Sequence, residues 1–490
     1  MLKEYERSID KLGLDKAWDL ILQDDSVSMD DYGYLYEAGL AYTNKIDKKE
    51  QGKYYTPEDV ANLLADFFKD LSGENICDVC CGTGNLIKAY LKSIGEAKAR
   101  KLIADGHLYL YDRDSLALKI TKASLAKLYG EREAEKIHCI SGDFLDEGIH
   151  LPKKAKVISN PPYSMVKQLG QKWKRTEVSK KTKELYAMFM EKIISESESS
   201  VLITPFSFLG SRKYEPLRVF MNDYTGMIFS FDNVPSNIFN GRKHGVFNTN
   251  STNSVRASIT IVEKPKPEQD LGFRISPLLR FQSSERERLL KKETLLDLLP
   301  ETKQLITTDQ PMYSKVFKEL EPVYKEWRAK AQGIFADLLT EEKTPYQLTI
   351  PTTCRYFTTA TVRDLDRAGK KVLYFKDRES MDYGYCLFNS SFAYWYWMIF
   401  DGAITYPDYL LKTIPINFDK DLMEKHRSEI EAIQKSEDGY LSYKLNAKKM
   451  QETVKLPEST REELNHILFS NFNIQEDPKI LDVIHQNHIF

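Results

Sequence analysis

Residues 160–163 read Asn-Pro-Pro-Tyr and follow directly on the strand-like run Ala155-Lys156-Val157-Ile158-Ser159. At the carboxyl end of a strand in an open α/β sheet, such residues face the ligand crevice. The side-chain oxygen of Asn160 and the carbonyl of Pro161 can both accept hydrogen bonds from an amino group. Pro161 and Pro162 carry no N–H, so no backbone donor competes at that edge. Tyr163 adds a flat face on which an extruded base can stack, a role for the ring rather than the hydroxyl. Acceptors and ring together suit methylation of an exocyclic amine on a flipped-out base. The same four letters also mark an ordinary turn that closes a strand.

Such a corner needs a donor held beside it, and the segments upstream supply a candidate. Ile76-Cys77-Asp78-Val79-Cys80-Cys81-Gly82-Thr83-Gly84 reads as a buried strand, a tight glycine turn and the opening of a helix. Gly82 and Gly84 would let backbone approach a ligand closely, and Asp78 and Cys80 share their loop. A second run, Leu108-Tyr109-Leu110-Tyr111-Asp112, ends in an acid placed to accept from ribose hydroxyls. The third glycine of the dinucleotide fingerprint is missing, because Ile87 stands there. An adenosyl cofactor therefore fits better than a nicotinamide dinucleotide. A third run, Ile137–Ile140, leads into Asp143 and Phe144. Asp143 can accept from an adenine amino group and Phe144 can pack on the ring; Asp143 is equally suited to capping a turn.

Before the glycine loop lies Tyr54-Tyr55-Thr56-Pro57-Glu58-Asp59. Thr56 is a good N-cap, Pro57 suits the first helical position, and Asp59 completes a capping-box-like pattern. Val60, Leu63, Leu64, Phe67, Phe68 and Leu71 then recur at helical spacing. The amides opening this helix, beside Tyr55, suit a carboxylate.

The order of these motifs, from Tyr-Tyr-Thr-Pro through Asp-Val-Cys-Cys-Gly-Thr-Gly, Tyr-Asp-Arg-Asp and Gly-Asp-Phe-Leu to Asn-Pro-Pro-Tyr, resembles the gamma-ordered N6-adenine DNA methyltransferases of restriction–modification. The resemblance covers about residues 50–265. Val79 departs from the Pro or Ala common at its place in that family, and a Ser at 160 would have pointed to cytosine N4. The resemblance implies S-adenosyl-L-methionine as methyl donor and adenine in double-stranded DNA as acceptor. It implies a cytoplasmic protein of bacterial, archaeal or phage origin, either an orphan or partnered by a separate restriction endonuclease. Related Asn-Pro-Pro-Tyr enzymes methylate RNA or a protein glutamine, and these readings stay open, as does a catalytically inactive DNA-binding specificity protein.

Composition agrees with this and sets bounds. The 490 residues allow two or three domains, and a net charge of −2 requires any nucleic-acid surface to be local. Six cysteines show no second pair at zinc spacing, so no metal is expected and they read as small reduced thiols. The charged N-terminus is unlike a signal peptide, and no apolar run is long enough to span a membrane.

From these signals the expected fold is α/β: a doubly wound Rossmann-like methyltransferase domain, then a mixed α+β target-recognition domain. The expected divisions are a helical accessory segment at 1–50, covering the cofactor site, and the methyltransferase domain at 51–265. A helical connector at 266–344, a recognition region at 345–418 and a helical tail at 419–490 follow. Between Lys167 and Lys183 seven Lys or Arg face one acid, Glu177. Lys172, Lys174 and Arg175 there are expected to hold DNA phosphates. Arg355 and Arg363, among β-branched and aromatic residues, are expected to read base edges.

Overall fold

The computed structural model describes residues 2–43, 56–239, 255–446 and 449–485. Two compact units emerge from it. The first comprises Met1–Ile275 and Phe281–Tyr313; the second comprises Ser276–Arg280 and Ser314–Phe490.

The first unit is built on a sheet whose strands we number along the chain: β1 (Asn75–Val79), β2 (Leu108–Asp112), β3 (His138–Ser141), β4 (Ala155–Ser159), β5 (Ser199–Pro205), β6 (Thr225–Phe231), β7 (Ala257–Glu263) and β8 (Gly272–Leu279). Their order across the sheet is β3-β2-β1-β4-β5-β7-β6-β8. The first five are mutually parallel, and β7 runs antiparallel to both its neighbours. Every residue of β4 is buried, as are four of five in β1. Strands covered on both faces are rich in apolar residues, and Ile76, Cys77 and Val79 in β1 and Ala155, Val157 and Ile158 in β4 made these two visible in the sequence. This is the doubly wound Rossmann-like sheet that the motif order implies.

Register decides where the motifs meet. Val79 pairs with Ser159 and with Tyr111, and Asp112 pairs with Ser141. The carboxyl ends of β1, β2, β3 and β4 therefore lie side by side. The chain runs outward from β1 through β2 to β3, then returns to β4 on the other side of β1. That reversal is the topological switch point, where an open α/β sheet leaves a crevice. The Ser159 hydroxyl donates to the Val79 carbonyl at 2.6 Å and pins the two strand ends together.

Three helices, α1 (Leu2–Leu12), α2 (Leu14–Gln23) and α3 (Tyr32–Thr43), open the chain. Tyr5, Ile9, Trp18, Tyr32, Leu35 and Tyr36 pack with Leu116, Ala117 and Ile120 in one core cluster. Helix α4 (Glu58–Phe68) precedes β1, α5 (Asn85–Ile94) follows the glycine turn, α6 (Ser115–Tyr129) follows β2, and α7 (Leu185–Glu196) precedes β5.

The structure corrects several local expectations. Helix α4 begins at Glu58 with Pro57 as N-cap and no side-chain cap. Asp59 completes no capping box; its carboxylate takes Arg286 at 2.6 and 3.0 Å. Residues 266–275 and 281–313, within the stretch read as a helical connector, pack with the first unit and contribute the start of β8. Pro277 disguised that strand. Proline is tolerated at a sheet edge, where β8 lies, but argues against a strand when only the sequence is read.

The second unit holds a small antiparallel sheet of β9 (Leu339–Thr340), β10 (Gln347–Pro351) and β11 (Lys370–Phe375), in the order β9-β11-β10. Helices α8 (Arg378–Asn389) and α9 (Phe392–Phe400) pass through its core, and every residue of α9 is buried. Trp395 stacks on Trp327 at 5.7 Å, and Phe392 packs against Phe472 at 5.3 Å. These aromatics are core. The tail expected to be helical also contains a hairpin of β12 (Leu441–Asn446) and β13 (Lys449–Val454).

Candidate functional site

A cavity of about 410 Å³ opens at the switch point. It is lined by the ends of β1, β2, β3 and β4 and by α3. Of the residues singled out in the sequence, Thr56, Cys80, Gly82, Asp112, Asp143, Phe144, Asn160 and Pro162 line it. Asp78, Gly84, Pro57, Pro161 and Tyr163 are not among its lining residues, and Tyr55 lies outside the described residues.

The glycine turn is held from three sides. The Gly82 N–H donates to the Asp112 carboxylate at 2.9 Å, the Thr121 hydroxyl donates to the Gly82 carbonyl at 2.8 Å, and the Gly84 N–H donates to the Cys81 carbonyl at 2.8 Å. The two glycines have different tasks. A Cβ added at Gly82, whose φ is +52°, would meet no atom within 4 Å, so this residue opens onto the cavity. A Cβ at Gly84, φ +79°, would fall 2.5 Å from the Thr121 methyl. Gly84 is thus a packing glycine at the start of α5 rather than a ligand-facing one. Asp78 is fully buried beneath the turn. Burial holds its carboxyl well above the ordinary range, the Asp112 charge adds to this, and the Ile87 amide opposes it. Burial also pushes the Cys80 and Cys81 thiols well up, reinforced by Asp78 and Asp112, which disfavours the thiolate at both. Among the described residues no cluster of His, Cys, Asp and Glu could hold a metal ion.

Asp112 accepts the Asp114 N–H on its other oxygen at 2.9 Å. Asp143 accepts the Leu145 N–H and the Trp173 indole N–H, each at 3.0 Å. A carboxylate oxygen has two lone pairs, so both residues keep accepting capacity towards the cavity. Phe144 is held in a ring stack with Phe189 at 5.7 Å. Its loop is clamped by Lys192, whose ammonium donates to the carbonyls of Phe144, Asp146 and Ile149 at 2.7, 2.8 and 2.6 Å.

At the opposite wall stands Asn160. Its amide nitrogen donates to the Thr56 hydroxyl at 2.9 Å, and its amide oxygen accepts the Tyr163 hydroxyl at 2.6 Å. The Tyr163 hydroxyl also reaches the Ile203 carbonyl at 2.9 Å. The hydroxyl, given no part when the sequence alone is read, anchors the amide. Thr56 likewise faces Asn160 rather than capping α4. The Tyr163 ring packs against Tyr186 and Phe239 at 6.3 and 6.1 Å.

Sequence reasoning missed Gly33, Tyr36 and Glu37 of α3, Asn85, and Met165, Val166 and Trp173 after the Asn-Pro-Pro-Tyr corner, all of which line the cavity. The last group had a signal in its closeness to that corner, and the α3 residues lie in the segment expected to cover the site. Tyr36 hydrogen-bonds Asp114, which caps α6.

Lys172, Lys174 and Arg175 are exposed on the loop that carries Trp173. In the second unit, Arg355 is half-buried, and its carbonyl accepts Arg280 and Tyr394. Arg363 pairs with Asp438, Lys370 with Asp364 and Lys371 with Asp408. Much of this second basic stretch is thus balanced within its own unit.

Residues 27–205 match the family model of N-6 DNA methylases. A type II methyltransferase, M.VspI of a Vibrio species, is 30% identical over 229 residues, covering 44% of this chain and 51% of its own length. The methylase subunit of the type I restriction enzyme MpnII of Mycoplasma pneumoniae is 22% identical over 324 residues, 60% of this chain and 54% of that one. Among solved structures, the modification subunit of a type I restriction enzyme from Vibrio vulnificus YJ016 aligns with a TM-score of 0.37 and 14% identity, over 65% of this chain and 63% of that one. The chain spans about half the length of the curated relatives it matches. Among the described residues no helix is long and apolar enough to cross a membrane.

Proposed function

We propose that this protein, whose residues 27–205 match the N-6 DNA methylase model, transfers a methyl group from S-adenosyl-L-methionine to N6 of an adenine flipped out of double-stranded DNA, in restriction–modification or as an orphan methylase. The observation that carries the reading is the doubly anchored amide of Asn160 on the wall of a cavity that also presents Asp112, Asp143 and Phe144.

The cavity fits an adenosyl cofactor. Gly82 leaves its floor open, Asp112 offers acceptors for ribose hydroxyls, and Asp143 and Phe144 offer an acceptor and a ring face for adenine. When bound, that cofactor supplies an electrophilic methyl group. The chain's own work is positional and electrostatic. Thr56 and Tyr163 fix the plane of the Asn160 amide, so its oxygen lies preset for the target amino group. With the Pro161 carbonyl as second acceptor, it orients the nitrogen lone pair and offsets the positive charge that grows as nitrogen attacks. The Tyr163 ring is the stacking face for the extruded base. The exposed Lys172, Lys174 and Arg175 hold phosphates close to the corner, and the second unit reads the sequence through Arg355 and its neighbours. A separate restriction endonuclease is a natural partner.

Asn160→Ala removes an acceptor but leaves the glycine turn intact. S-adenosylhomocysteine should bind this variant with unchanged affinity in a calorimeter, while single-turnover methylation of duplex DNA falls by at least about a hundredfold. Near-normal transfer would refute the assignment. Transfer to RNA or to a protein glutamine but not to DNA would replace the substrate while keeping the chemistry.

A further inference from the structure

Trp173 lines the cavity from a loop whose neighbouring side chains face outward. This loop leaves the Asn-Pro-Pro-Tyr corner at Ser164 and returns at Leu185, closed at its base by a bridge between Met165 and Glu184. A second antiparallel bridge, Trp173 to Asp146, fastens its middle to the loop that carries Asp143 and Phe144. The Glu147 N–H donates to the Lys172 carbonyl at 2.9 Å, and the indole N–H donates to the Asp143 carboxylate at 3.0 Å. Extended backbone sends successive side chains to opposite faces. Trp173 therefore points to the cavity, while Lys172 and Lys174 point to solvent with Arg175 beside them. Gly170 packs on the indole: an added Cβ would lie 2.6 Å from its Cε2.

We propose that Trp173 is a wall of the methyl-donor site, and that its loop couples donor to DNA. Phosphates gathered by Lys172, Lys174 and Arg175 hold the indole against Asp143 and tighten the enclosure of the donor. Coupling between sites is reciprocal, so a filled donor site also strengthens DNA binding. This inference rests on the methyltransferase reading and adds to it a residue and an order: a loop one residue thick separates the two ligands.

The protein carries its own reporter. Of its five tryptophans, Trp18, Trp327, Trp395 and Trp397 are fully buried and none of these lines the cavity. Titrating the full chain with S-adenosylhomocysteine should change its tryptophan fluorescence, and Trp173→Phe should abolish the change while calorimetry still detects binding. A mixed-sequence duplex should tighten S-adenosylhomocysteine roughly fivefold or more in the wild type. It should do so by less than about twofold in the Lys172→Ala/Lys174→Ala/Arg175→Ala variant, in which the fluorescence change persists. Gly170→Ala keeps the fluorophore but displaces it, and should weaken S-adenosylhomocysteine binding. An equal fluorescence change in Trp173→Phe would overturn the role of the indole. Equal tightening by DNA in the triple variant would overturn the coupling. Failure of the wild type to bind S-adenosylhomocysteine in the calorimeter would instead defeat the donor assignment itself, and this inference with it.

Discussion

Replacing Tyr163 by Phe deletes one oxygen and leaves the ring. That oxygen donates to the Asn160 amide at 2.6 Å and reaches the Ile203 carbonyl at 2.9 Å. The amide is still held at its nitrogen by Thr56, at 2.9 Å, so it stays in place but gains freedom to twist. A net hydrogen bond is worth about 1 kcal/mol, and an orientation lost to that extent slows a step by roughly fivefold. Single-turnover methylation should show that loss in rate, with S-adenosylhomocysteine affinity unchanged. Tyr163→Ala forfeits the stacking face as well and should fall by roughly a hundredfold. Thr56→Val removes the other anchor, and because both anchors hold one amide, the two losses should not add in a double-mutant cycle. A wild-type rate for Tyr163→Phe, or strict additivity with Thr56→Val, would show that the anchors do not govern the amide.

The two glycines of the turn should separate by assay: Gly84→Ala should lower stability by about 2–3 kcal/mol in urea, through its clash with Thr121, whereas Gly82→Ala should chiefly weaken S-adenosylhomocysteine in a calorimeter. In the second unit, burial, helped by the Arg461 charge, depresses His485 to about 3. The imidazole stacks on Tyr394 and meets the Ser391 hydroxyl at 3.0 Å. Below its ordinary value near 6.5 the unfolded chain gains a proton that the folded chain refuses until about 3, so stability should drop as pH falls through that window, by about 2 kcal/mol at pH 5. Urea midpoints at pH 7 and pH 5 should differ less by that amount in His485→Gln.

What the sequence made legible follows from burial and from local chemistry. Strands β1 and β4 stand out because both faces are covered, and the corner at Asn160 follows from its place after β4. The division of labour between Gly82 and Gly84 was not legible, because it depends on Thr121, which approaches from another helix. The helical segment at 1–50 was expected over this site, but which of its residues reach the cavity, Gly33, Tyr36 and Glu37 of α3, was not legible. Trp173 was hidden by its neighbours: seven positive charges between Lys167 and Lys183 make the loop read as a phosphate-binding surface and obscure the one residue that turns inward. Two of the ion pairs that balance the second basic stretch, Arg363 with Asp438 and Lys371 with Asp408, join residues distant in sequence.

The chain of contacts from Thr56 through Asn160 and Tyr163 to Ile203 joins positions spread over three sequence neighbourhoods. A ribosome delivers them in that order, and protein folding begins from the end made first. Residues up to Phe144 already contain the glycine turn, Asp112 and Asp143, so most acceptors proposed for the donor emerge before the Asn160 amide. The Tyr163 hydroxyl meets its further partner only once β5 has been synthesised and has docked, because Ile203 belongs to β5. The fold thus orders its own assembly: the residues proposed to hold a methyl donor are made before the last partner of the Asn160–Tyr163 pair.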